Sequence, residues 1–288
     1  MRKSIVLNNI LLVLILVGNA FLPVRAGISL RVLTFNIRII SDGDGKNNWY
    51  YRCNDVVAFC RDIHPDVIGM QEATVPQRKF VMDCLSEYEC IGKGRDGGQN
   101  GEHCPVFYRK DRFVLEKSGT FWLSETPDRV SVGWDAAARR IVCWIILRDR
   151  QSGERFLFAN THFDHKGETA RTQSSLLAKK RLTEYAQGLP IIVTGDFNAS
   201  PQSECYAYML SSPGTVPLGD TWNEARTRIG PVGTYHGWDK VASSESSRGD
   251  FIFASHDVNI LRYVNDDYKL RPRMLSDHNP VYADVELP

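Results

Sequence analysis

The run Leu189-Pro190-Ile191-Ile192-Val193 is almost wholly apolar and leads directly into Thr194-Gly195-Asp196-Phe197-Asn198. A run this apolar suits a β-strand covered on both faces, so the chain must supply packing layers on either side of the sheet that holds it. Charge at the end of such a strand needs a partner, because an unpaired buried carboxylate is costly. Two readings of that end stand side by side. One is a strand-to-helix turn in which an Asx or Ser side chain, Ser200 best placed, caps a helix starting near Pro201. The other is a chemical site, with strand alternation putting Asp196 and Asn198 on the same side.

Strand-like and helix-like segments alternate along the chain. Segments 30–37, 67–70, 105–109, 113–118, 141–148, 155–162, 191–194, 249–254, 258–264 and 281–287 read as strands. Segments 49–63, 76–85, 167–187 and 201–210 read as helices, the second with Pro76 in its first turn. The polar block Gln151-Ser152-Gly153-Glu154 makes a hairpin turn. The order is not a clean βαβ repeat, and no linker divides it. This predicts one α+β domain over 27–288, with two mixed sheets face to face and helices on both outer surfaces. The least regular stretches are 41–48, 92–104, 119–140 and 211–248, and long loops often carry function.

Residues 1–26 differ from the rest. Met1-Arg2-Lys3 is a positive start, 10–17 is a short apolar run, and Val24-Arg25-Ala26 offers small residues for a signal peptidase. The expectation is a cleaved export signal, a periplasmic or extracellular protein and no transmembrane segment in the mature chain. Without that segment the chain has 32 bases against 34 acids. A net negative chain does not favour non-specific grip on nucleic acid, although a local basic patch is compatible with it. Of the seven cysteines, Cys53 and Cys60 fall on the apolar face of a helix. None has zinc-ligand spacing.

Acids, amides and histidines recur at the ends of the apolar segments. Asn36 closes Thr34-Phe35-Asn36, and Glu72 follows Val67-Ile68-Gly69-Met70-Gln71. In Phe156-Leu157-Phe158-Ala159-Asn160-Thr161-His162-Phe163-Asp164-His165, alternation puts Asn160, His162 and Asp164 on one side. Asp250 opens Asp250-Phe251-Ile252-Phe253, and Ser276-Asp277-His278-Asn279-Pro280 comes near the end. Each alone has a structural explanation as a turn amide, a helix cap or a satisfied imidazole. Together they fit one chemistry. Asn36, Glu72 and Asp277 offer the oxygen ligands that Mg²⁺ or Mn²⁺ takes, and the histidines are paired with acids rather than clustered for zinc. Asp196 is placed to deprotonate water, and His162, Asn198 and His278 to donate to phosphoryl oxygens. Asp250 is placed to fix the tautomer of His278.

This set of motifs, in order from Leu30 to Glu286, resembles the endonuclease/exonuclease/phosphatase superfamily. The resemblance implies a four-layer αββα, DNase I-like sandwich with its site at one end of the two sheets, Mg²⁺ or Mn²⁺, and in-line attack by water. Phe163 and Phe197 stand where Leu is more usual, on the face away from the metal. The runs at 119–127, 133–136 and 234–237 look like a secreted bacterial branch of the superfamily. On the substrate side, Arg140 is placed to hold a second phosphate or a leaving group, or to make a surface ion pair. His165 and His236 are candidates to line the pocket, and Trp134 to stack on a ring or anchor its loop. His103, in a Gly-rich loop, has no assigned role. The leading expectation is a metal-dependent phosphoester hydrolase. A nuclease is the alternative, and a non-catalytic phosphoester-binding protein the third.

Overall fold

Apolar strands that need cover on both faces obtain it by pairing two sheets and adding a helical layer to each. The structure is a computed structural model and describes residues 27–211, 213–238, 248–267 and 273–288; the expected signal segment lies outside them. Its elements are β1 (Ser29–Asn36), α1 (Trp49–Ile63), β2 (Val67–Gln71), α2 (Val75–Cys84), β3 (Tyr88–Ile91), β4 (Val106–Arg109), β5 (Phe113–Trp122), β6 (Ile141–Asp149), β7 (Arg155–His162), α3 (Glu168–Ala186), β8 (Ile191–Asp196), α4 (Glu204–Leu210), β9 (Leu218–Asp220), α5 (Thr221–Glu224), β10 (Thr227–Ile229), β11 (Asp250–Ser255), β12 (Asn259–Asn265) and β13 (Val281–Glu286). One sheet has the order β10-β12-β13-β1-β2-β4-β3, the other β5-β6-β7-β8-β11-β9, and both mix parallel and antiparallel pairs.

Three apolar clusters define four layers. Val32, Val281, Ile145, Phe158 and Ile252 meet between the sheets. Val56, Val57, Phe59 and Cys60 of α1 cover the outer face of the first sheet with Leu33, Phe35 and Ile68. Ala178, Leu182 and Ala186 of α3 cover the second with Leu157, Val193 and Phe253. This is the αββα sandwich that the sequence implied. Phe163 and Phe197 lie in the last cluster with their rings 4.7 Å apart, on the helix side of the sheet.

Local chemistry sets the helix ends. Asn48 caps α1 by accepting from Tyr50 N–H, and α1 stops at His64, left-handed at φ 45°, just before Pro65. Thr74 and Gln77 form a capping box on α2. α4 begins at Glu204 and not at Pro201: Ser203, rather than Ser200, accepts from Tyr206 N–H. β5 runs on to Trp122 across a bulge near Lys117, four residues beyond the strand expected from the sequence.

Buried amides join the sheets. Asn160 of β7 donates to the carbonyls of Met70 (2.7 Å) and Pro105 (3.0 Å) in the opposite sheet, and its Oδ1 accepts from Gln71 Nε2 at 2.7 Å. Gly69 is what permits the approach, since a Cβ there would sit 2.5 Å from Asn160 Oδ1 and 2.3 Å from Thr194 Oγ1. Replacing Asn160 with Leu removes its hydrogen bonds to Met70, Pro105 and Gln71, although Gln71 Nε2 keeps Thr34 Oγ1 and the Gly69 carbonyl, and the Pro105 carbonyl keeps Met70 N–H. The expected cost is about 2–4 kcal/mol, read as a lower urea midpoint at unchanged slope; an unchanged midpoint would show that the clamp contributes nothing.

Candidate active site

Strand register collects the polar strand ends. His162 of β7 lies opposite Asp196 of β8, and Asp196 opposite Asp250 of β11, in one row across the second sheet. Asn36 and Gln71 end β1 and β2 side by side in the first sheet, and the next residue, Glu72, turns out of the sheet at φ 60°. The segment ahead of β13 brings in Asp277 and His278. These ends share one rim of the sandwich around a cleft of about 540 Å³, whose walls include Glu72, His162, Asp196, Asn198, Asp277 and His278.

Asp196 is the hub. Its Oδ2 accepts from Asn36 Nδ2 at 2.9 Å and lies 3.5 Å from His162 Nε2 and 3.8 Å from His278 Nε2; its Oδ1 accepts from Asn198 N–H at 3.0 Å. Burial, with the Asp250 charge added, pushes its carboxyl up to about 7. His278 Nδ1 meets Asp250 Oδ2 at 2.8 Å, and Thr234 Oγ1 donates to that same oxygen at 2.6 Å. Burial works against a charged His278, yet Asp250 and then Asp196 raise its pKa well above the ordinary imidazole value. His162 goes the other way, lowered well below that value by burial and by the Arg140 charge. One imidazole is therefore cationic and the other neutral, each on its own side of Asp196.

Asn198 reaches the site by a turn and not by alternation. β8 ends at Asp196, and Asn198 takes a left-handed φ of 47°, which Asn tolerates better than most residues. Its amide donates to His162 Nε2 at 2.9 Å and to the Phe163 carbonyl at 3.1 Å. His162 Nε2 thus accepts here, where the sequence analysis gave that ring a donor's role. Asp164 is also beyond its strand; it accepts from the N–H groups of Lys166, Gly167 and Ala138 and fixes the loop before α3.

Glu72 and Asp277 are the residues fitted to a hard divalent cation. Both are carboxylates on the cleft wall. Burial raises the Asp277 carboxyl, and the Glu72 charge adds to the rise, a repulsion that a cation between them would relieve. Glu72 is oriented by Asn36 Nδ2 (3.0 Å) and Ile39 N–H (2.9 Å). Asn36 itself presents its amide nitrogen to both Glu72 and Asp196 and gives its oxygen to Arg38 N–H, so it orients carboxylates here instead of offering an oxygen ligand. Asp196, Asp250 and His278 also bring ligand atoms within 4.8 Å of one another, but a protonated His278 makes that set an ion-pair network and not a metal cage.

Of the substrate-side residues, Arg140 and His165 do line the cleft, with Arg140 Nη2 3.0 Å from His165 Nδ1. His236 does not. It is fully buried, with burial lowering its pKa to about 4, and its N–H holds the Asp277 carbonyl. Its neighbour Tyr235 takes the cleft position, with its ring 4.9 Å from that of His278. Trp134 also lies outside the lining. Its N–H is held by the Glu125 carboxylate, while Asp135 caps α3 by accepting from Ala170 N–H at 2.6 Å, which ties the loop away from the centre.

Sequence reasoning missed Arg38, Arg95, Glu102 and Arg248 on the cleft wall. Arg38 and Arg248 abut recognised motifs, after Asn36-Ile37 and before Gly249-Asp250, and adjacency was the available signal. Arg248 is 3% exposed, and its Nη2 donates to Asp220 at 2.6 Å.

A DNase I-like αββα sandwich with carboxylates, amides and two oppositely tuned imidazoles in one end cleft defines a class built for phosphoester chemistry. The chain belongs to the endonuclease/exonuclease/phosphatase family, whose model matches residues 33–278. Members of the family hydrolyse phosphoesters and generally depend on a divalent metal. Its fold matches the crystal structure of an endonuclease/exonuclease/phosphatase from Bacteroides vulgatus with a TM-score of 0.86 and 38% identity, over 91% of this chain and 100% of that one. A Bacteroides thetaiotaomicron mannosyl-6-phosphatase matches at 0.83 and 35%, over 89% and 99%. Drosophila melanogaster nocturnin is 26% identical over 64% of this chain but only 31% of its own length.

Asp250→Asn removes the nearest charge from His278. The His278 pKa should fall by about one unit or more, followed by NMR titration of the imidazole; an unmoved titration would place the source of the shift elsewhere.

Proposed function

We propose that this protein is a divalent-metal-dependent phosphoester hydrolase in which water attacks phosphorus in line. The observation that carries the reading is Asp196, a buried carboxylate held by two N–H donors between a neutral and a cationic imidazole. Ionised Asp196 takes the proton of the attacking water. His278, kept charged by Asp250, donates from Nε2 to the phosphoryl oxygens, and Asn198 and His162 complete the polar wall. Glu72 and Asp277 are the residues that would hold Mg²⁺ or Mn²⁺, with Asn36 fixing Glu72. Such an ion neutralises phosphoryl charge when bound.

The likeness to a mannosyl-6-phosphatase supports a small phosphomonoester as the substrate ahead of nucleic acid, in keeping with the chain's charge. The segment 1–26 is read as an export signal, which makes this a secreted or periplasmic enzyme of a bacterial branch. The test is hydrolysis of a panel of sugar phosphates, nucleotides, phospholipids, DNA and RNA with Mg²⁺ or Mn²⁺ and with EDTA. Hydrolysis of sugar phosphates that EDTA abolishes is the expected result, whereas robust cleavage of DNA or RNA alone would move the assignment to a nuclease.

Asp196→Asn should lower kcat about 10²–10⁴-fold with little change in fold. Full activity in that variant would sink the mechanism. Because the Asp196 carboxyl is raised to about 7, it holds its proton below that pH and cannot act as base. kcat/KM should therefore climb as pH rises through about 7 at fixed metal, and the Asn variant should lose that limb.

A further inference from the structure

The rim loop 92–104 is built as a rigid platform that the hydrolytic steps do not use. Gly94 N–H bonds the Gly98 carbonyl, Asp96 N–H the Asn100 carbonyl and Arg95 N–H the Glu102 carbonyl, at 2.9, 3.1 and 2.9 Å. Gly94 cannot be replaced without collision, since a Cβ there would lie 1.9 Å from the Asn100 carbonyl oxygen. His103, fully buried, donates its N–H to the Ala73 carbonyl at 2.8 Å, which pins the loop one residue from Glu72. Trp122 Nε1 holds the Arg95 carbonyl at 2.7 Å.

This frame sets Arg95 and Glu102 face to face, with Arg95 Nη2 2.5 Å from Glu102 Oε1. Both side chains line the cleft, on a wall shared with Arg140. Glu102 balances the charge of Arg95, and Asp164, 3.4 Å from Arg140 Nε, balances that of Arg140, so the wall carries little net charge to draw a second phosphate or a cation. Among the described residues, Tyr235 is the one Phe, Tyr or Trp side chain of the cleft, and it stands against His278 and not on this wall. A hydroxyl group fits both partners, since it donates to a carboxylate and accepts from a guanidinium.

We propose that Arg95 and Glu102, with Arg140, form a specificity subsite for the hydroxyl groups of a sugar or other polyol esterified to the phosphate being hydrolysed. This rests on the phosphoester-hydrolase reading above and names the substrate class of the same site. The subsite rewards polyol esters through binding and leaves the water-activating residues as they are.

The test compares mannose 6-phosphate with phenyl phosphate, which lacks hydroxyls, in the wild type and in Glu102→Gln. The wild type should favour the sugar phosphate, and the variant should lose about tenfold or more of that preference in kcat/KM, mostly through KM. Free mannose should also inhibit phenyl phosphate hydrolysis competitively in the wild type, a readout that does not depend on the variant folding. Equal losses on both substrates, an unaltered preference, or no inhibition by mannose would each overturn the subsite while leaving the hydrolase reading intact. Failure of the wild type to hydrolyse either ester, or any other in the panel, would overturn both.

Discussion

The cleft exists because two sheets are locked together at one end by amides that no water reaches. Asn160 gives hydrogen bonds to one sheet from the other, Gln71 returns one, and Asn36 reaches from β1 to Asp196 of β8. Apolar contacts between sheets are non-directional and tolerate sliding. Buried amide pairs do not, because any slip leaves donors and acceptors unmet at a cost that packing cannot offset. The register that aligns His162, Asp196 and Asp250 is thus held against the first sheet as well as within the second.

On that frame, electrostatics divides the labour. Asp196 and Asp250 are adjacent acids in a nearly dry row, an arrangement that repels unless a cation lies between or beside them. His278 is that cation, and the pair in turn keeps it protonated. His162 sits in the same burial but faces Arg140 and an amide donor, so it stays neutral. Two chemically identical side chains take different charge states through their neighbours. Asp277 feels burial and the Glu72 charge in the same way, and His278 and Arg38, the latter 3.8 Å from its Oδ2, offset part of that rise.

The layered architecture and the order of the site were legible from the sequence because both follow from local patterns. Apolar runs gave β1, β2, β6, β7 and β8 within a residue or two, and the polar residue ending each run marked the rim. What was not legible has specific physical causes. β9, α5 and β10 are only three or four residues long, too short for a period to register. Asn198 was placed correctly on mistaken grounds, since alternation stops at Asp196 and a left-handed turn takes over. His236 and Trp134 were misplaced because a loop residue's direction depends on partners distant in sequence: the Asp277 carbonyl for one, Glu125 and α3 for the other. Arg95 and Glu102 lay in a stretch flagged only as irregular, and nothing local shows that Arg95 N–H pairs with the Glu102 carbonyl.

That last failure points to how such a fold divides fixed chemistry from variable recognition. The central residues stand at strand ends, where a shift of one ångström would break hydrogen bonds in both sheets. The rim loop closes on itself and touches the centre's backbone at one hydrogen bond, His103 N–H to the Ala73 carbonyl. Side chains at 95 and 102 can change without moving Glu72, provided the glycines that let the loop fold remain. Selection for a new leaving group would therefore act first on this loop, and the sequence of the strand ends would carry little information about which ester is cleaved. If residues 95 and 102 read the leaving group, the strand ends that make the family recognisable are not where its members would differ in substrate.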